Sequence, residues 1–161
     1  NILFEDNYGL EISFEKSFSK SISFDIKPKF GTEIIRVDAP YQARNTGLGL
    51  GLELKPGDEF KLNFRMDQSK SIRFENDEVV YSDMIARARF EYQATTFLNF
   101  RLVAQYHRYY DIFDIQPLIS YQPGPFSIFY FGTSRSYDTS FPGWQESYGQ
   151  IYLKVQKLFS F

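Results

Sequence analysis

Apolar residues recur at every second position along most of this chain, and that rhythm constrains the fold more than any other feature. Leu98, Phe100, Leu102, Ala104 and Tyr106 fall on one face of a run whose other face carries Asn99, Arg101 and Gln105. Tyr8, Leu10, Ile12 and Phe14 oppose Glu11, Ser13 and Glu15, and Ile22, Phe24, Ile26 and Phe30 oppose Ser23, Asp25, Lys27 and Lys29. Leu48 to Leu54 run down to a Pro-Gly-Asp turn, from which Phe60, Leu62, Phe64 and Met66 return. Met84, Ala86, Ala88, Phe90 and Tyr92 form a further run. No segment keeps a helical period. The pattern therefore predicts an all-β chain of about nine strands of roughly 10–14 residues each, joined by turn chemistry.

Strand length then separates two solutions. Strands in soluble proteins cluster near 5–6 residues, whereas a tilted strand that crosses a bilayer needs about 9–11. Aromatic residues make up 19% of the chain, with 18 Phe and 12 Tyr. Many of them fall near segment ends: Tyr8, Phe30, Phe60, Phe74, Tyr92, Phe97, Tyr106, Tyr109, Tyr110, Tyr121 and Phe126. Rings at both ends of long strands match the two interfacial girdles of a membrane barrel. Short connections near Ser17–Lys20, Pro56–Asp58, Ala94–Thr96 and Pro123–Pro125 alternate with longer ones near Gly31–Asn45, Gln68–Tyr81, Arg108–Phe113 and Tyr137–Glu146. The expected fold is an all-β antiparallel transmembrane β-barrel, or the C-terminal portion of a larger one.

Composition excludes other classes. No apolar run reaches the length of a transmembrane helix, and the mean hydropathy is −0.37. A net charge of −2 gives no reason to expect a nucleic-acid partner. Cysteine is absent, which removes disulfides and thiolate metal sites. The acidic residues lack the spacing of a calcium loop, so neither a metal nor any other cofactor is expected.

The chain closes on "GQIYLKVQKLFSF", with Ile151, Leu153, Val155, Phe159 and the terminal Phe161 in alternation and Lys157 interrupting it. This ending resembles the C-terminal signature of bacterial outer-membrane barrel proteins. The resemblance implies that Leu153, Val155, Phe159 and Phe161 form the signal read by the outer-membrane assembly machinery, and that the chain resides as a multi-pass protein in the outer membrane. A second resemblance rests on "RLVAQY", "LISYQPGPFSIFYFG" and "LKVQKLFSF". Together they look like the C-terminal barrel domain of an uncharacterised surface-protein family, in which a family-nine carbohydrate-binding-like domain precedes the barrel. Counting strands back from a periplasmic C-terminus leaves the ninth strand starting outside the cell. Even strand numbers are the rule in single-chain barrels. Residues 1–161 are accordingly expected to be a single barrel domain, the C-terminal fragment of a longer chain.

Four arginines, Arg65, Arg87, Arg89 and Arg101, oppose the apolar positions and should line a lumen. Such a ladder creates a positive field that draws anionic solutes. Glu53, Asp67 and Glu91 share that face, and the favoured expectation is that they pair with the arginines and fill the interior. Gly47, Gly49 and Gly51 also fall there; the favoured expectation is that they let the sheet bend sharply, the alternative that they let a bulky neighbour or a plug approach the wall. The single histidine, His107, is expected to be a solvated rim residue. A catalytic role would need a partner such as Asp111 or Ser120. A loop carries Tyr137, Phe141, Trp144 and Tyr148, which suit ligand or partner contact, or a lipid interface, or cover for a lumen.

The expected function is that of a channel or transport component embedded in a lipid bilayer. The alternative is a membrane anchor or scaffold with a filled lumen for a partner, an upstream domain or other protein subunits. An outer-membrane hydrolase resting on His107 is a distant third, so the chain is expected not to be an enzyme.

Overall fold

The computed structural model describes residues 7–36 and 40–157. They form one antiparallel sheet of ten strands with no helix. The strands are β1 (Gly9–Glu11), β2 (Phe14–Ser19), β3 (Ile22–Ile35), β4 (Tyr41–Gly57), β5 (Phe60–Arg73), β6 (Val79–Gln93), β7 (Leu98–His107), β8 (Ile112–Gly124), β9 (Ser127–Asp138) and β10 (Gln145–Lys157). From β3 onward each strand pairs with the next in a simple meander. β1 and β2 share the outer edge of β3, with Leu10 opposite Phe30 and Phe14 opposite Ile26, so ten strands fill nine places. The sheet is open: neither the β1/β2 edge nor the outer edge of β10 is paired with another described strand. In an antiparallel meander of nine places the two edge strands run in the same direction.

The strands reach further than the sequence pattern suggests. β3 and β4 stay paired up to Ile35 and Tyr41, so most of the expected Gly31–Asn45 loop is strand. The expected loop at Gln68–Tyr81 contracts to residues 74–78, and those near Arg108 and Tyr137 contract to 108–111 and 139–144. Each backbone N–H and C=O that pairs with a neighbour avoids an unmet hydrogen bond. The β-branched Thr32, Ile34 and Ile35 fit the pleat despite the broken alternation there. A modest asymmetry survives, because the other end of the sheet turns at 20–21, 58–59, 94–97 and 125–126.

Register places every expected lumen residue on one face. Asp25, Gly51, Arg65, Arg87, Gln105, Asp114 and Ser136 are successive Cα partners across β3 to β9. One step along, Ile26, Leu50, Met66, Ala86, Tyr106, Phe113 and Tyr137 form the corresponding row on the opposite face.

The two faces are buried in inverted order. Ala43, Ser71, Asp83, Val103 and Leu118 are buried, and all five lie on the polar face. The apolar face is open: Phe30, Phe64, Leu102, Ile119, Phe129, Phe131, Ile151, Leu153 and Val155 are exposed. The neighbours Leu102, 36% exposed, and Val103, 7% exposed, show the contrast within one strand. With no second layer among the described residues, burial on one face means that its side chains crowd one another, as they do on the inside of a curled sheet.

Candidate functional site

The polar face gathers its charged side chains from strands distant in sequence, and glycines make room for them. Gly51 lies between Asp25 and Arg65 in register. A Cβ on Gly51 would collide with Asp25 Oδ1, so only glycine lets that carboxylate lie across β4. From there it reaches Arg65 Nη2 at 3.9 Å. Gly49 leaves similar space beside Lys27 and Asp67, and Gly47 beside Lys29. Of the two roles expected for these glycines, close approach of a neighbouring side chain is the one visible in the geometry.

The expected pairing of arginines with acids is only partly made. Arg89 Nη2 donates to Glu91 Oε1 at 2.5 Å. Glu53 turns instead to two lysines, Lys55 at 2.6 Å and Lys61 at 3.1 Å. Asp67 makes no ion pair among the described residues, and Arg65 takes Asp25, which sequence reasoning did not single out. Neither Arg87 nor Arg101 has an ion pair among the described residues, although Glu91 is the Cα partner of Arg101. The Nε atoms of Arg73, Arg89 and Arg101 are buried without an acceptor. Asp25 shared the arginine face in the alternation, but only register puts it two strands from Arg65.

At the rim, His107 has a partner other than those anticipated. Its Nε2 lies 2.7 Å from Oδ2 of the buried Asp83 on β6. Tyr81 Oη donates to the same oxygen at 3.1 Å, while the backbone N–H groups of Met84 and Tyr109 donate to Oδ1 at 2.7 and 3.1 Å. Tyr110 packs edge-on against the His107 ring with centroids 4.6 Å apart. Asp111 accepts from Tyr106 Oη at 3.2 Å, and Ser120 donates to the Asn99 carbonyl at 3.4 Å. No hydroxyl is hydrogen-bonded to the His107 ring among the described residues. The cluster therefore has the build of a rim clasp joining β6 to the β7–β8 connection. It lacks the hydroxyl placement that nucleophilic catalysis needs.

The loop aromatics divide between faces. Trp144 packs against Phe113 at 5.1 Å and Tyr137 at 6.4 Å, both on the apolar face. Phe113 was not anticipated from the sequence. Trp144 holds a positive φ of 47°, uncommon for a bulky residue. Phe141 is exposed in the same connection, and Tyr148 sits on the polar face of β10, where it donates to Gln150 Oε1 at 2.6 Å. The four expected residues therefore do not form one cluster. Of the expected assembly signal, Leu153 and Val155 are exposed on the apolar face of β10, whereas Phe159 and Phe161 lie outside the described residues.

Among the described residues no group of three or more His, Asp or Glu side chains could hold a metal ion. No family model, curated protein or solved structure matches the chain.

Proposed function

We propose that this sheet is wall of a transmembrane β-barrel in a bacterial outer membrane, and that it serves there as a channel or transport component. The observation that carries the reading is the pattern of burial: among the described residues the buried side chains all lie on the polar face, while the apolar face keeps many large side chains exposed and buries none. In water such an apolar face is costly, at about 25 cal/mol per Å², whereas in lipid it is at home. Strand length supports the same reading. A strand of 13 residues, the length of β8 and β10, rises about 43 Å and covers roughly 30 Å when tilted by about 45°. Rings also gather at both ends of the sheet. Phe60, Tyr92, Phe97, Tyr121 and Phe126 sit toward the short turns, and Phe74, Tyr106, Tyr109, Phe113, Tyr137 and Trp144 toward the longer connections. That is the arrangement of two interfacial belts.

In a bilayer both open edges need partners. Strands from a longer protein, or another subunit, would supply them. The test is reconstitution of the purified protein, together with whatever chain or segment it carries in the cell, into planar bilayers. Discrete conductance steps are expected. Complete insertion without any conductance would refute the channel. It would favour the anchor reading, which draws support from the charges that do pair on the polar face: Glu53 with two lysines, and Arg89 with Glu91.

A further inference from the structure

We propose that Arg65, Arg87, Arg89 and Arg101 form a binding site for a multivalent oxyanion of the phosphate type on the polar wall. The proposal rests on the reading of that face as an aqueous lining. Arg65 and Arg87 are direct Cα partners across β5 and β6. Arg89 follows Arg87 by one repeat on the same face, and Arg101 stands on β7 diagonal to Arg89. Like charges placed directly opposite each other repel, and the sequence tolerates them here with little internal compensation. Two carboxylates come within ion-pair distance of the four guanidinium groups, Asp25 of Arg65 at 3.9 Å and Glu91 of Arg89 at 2.5 Å. Neither Arg87 nor Arg101 has an ion pair among the described residues.

The donor chemistry narrows the ligand. A guanidinium offers a planar fork of donors that matches two oxygens of one phosphate. Several forks carried on one face of three adjacent strands favour an anion with more than one charge and several oxygens over a halide. Binding is a reversible ion pairing, so no bond is made or broken.

The experiment is titration calorimetry of the detergent-solubilised protein with sodium pyrophosphate at low salt. Saturable binding is expected, weakened by about tenfold or more in the R87Q/R101Q double variant and unchanged in Lys20→Gln, whose charge lies in a turn. Neither Arg87 nor Arg101 makes an ion pair among the described residues, so removing the two charges should leave folding intact. If that variant fails to fold, Arg87→Lys with Arg101→Lys keeps the charge, loses the fork and should still weaken binding. Absence of saturable binding in the native protein, or equal affinity in the arginine variants, overturns the proposal. A protein that conducts without binding pyrophosphate retains the channel reading and loses this site. One that binds without conducting does the reverse.

Discussion

Asp25 and Arg65 meet at 3.9 Å across a strand that belongs to neither, over the bare backbone of Gly51. The contact separates shape from charge. The pair is partly exposed, so its ionic contribution is small, on the order of 1 kcal/mol or less. Filling the space over Gly51 is the larger perturbation. Gly51→Val should destabilise by about 1–3 kcal/mol through overpacking against the Asp25 carboxylate. Asp25→Asn should cost less than about 1 kcal/mol. Gly57→Ala, where an added Cβ meets nothing within 4 Å, should be close to neutral. Urea midpoints of the three variants in detergent check the order, and an Asp25→Asn effect larger than that of Gly51→Val would reverse the account.

Asp83 is the most heavily committed carboxylate among the described residues, with four donors on its two oxygens. Asp83→Ala should cost about 1–3 kcal/mol, because the part-buried backbone N–H groups of Met84 and Tyr109 lose their acceptor. His107→Ala should cost less, since Met84, Tyr109 and Tyr81 still satisfy the acid. A double-mutant cycle between the two should give positive coupling of roughly 1 kcal/mol or more. Additive effects would mean that the 2.7 Å contact contributes nothing.

A charge on the apolar face reports directly on its surroundings. Ala104→Arg, facing Ala88 across β6 and β7, should cost about 2–4 kcal/mol in phospholipid vesicles if that face meets the bilayer core. Gln105→Arg, one residue along on the polar face, should stay within about 1 kcal/mol of the parent. Equal tolerance of both would mean that the apolar face is wet.

The single tryptophan gives an optical handle on the outer connection. Phe113→Ala removes the ring 5.1 Å from Trp144 and should shift its emission to longer wavelength and raise iodide quenching. Phe141→Ala should leave the spectrum nearly unchanged, because no ring contact joins Phe141 to Trp144. Matching shifts in the two variants would argue against the packing described.

Much of the fold was legible because a period of two survives any register. Alternation alone assigned Arg65, Arg87, Arg89 and Arg101 to one face with Glu53, Asp67 and Glu91. Which of those residues meet was not legible. Pairing depends on register between strands, and register is a property of two strands at once. Hence Glu53 was matched with arginines yet binds Lys55 and Lys61, and the partner of His107 came from β6 instead of the adjacent Asp111. Strand ends were also underestimated. At Ile35 and Tyr41 the backbone remains paired after the side-chain rhythm has stopped, and a pattern of side chains carries no record of that.

The central claim is that one face of this sheet meets lipid and the other meets water. The native chain has no cysteine, so single cysteines can be placed without background at successive positions from 98 to 106 on β7. Each is spin-labelled in the protein reconstituted into vesicles, and its collisions with oxygen and with a water-soluble nickel chelate are measured. The account predicts alternation: oxygen favoured at 98, 100, 102, 104 and 106, and nickel favoured at 99, 101, 103 and 105. Uniform access of the nickel chelate to both sets would place the whole sheet in water and contradict it.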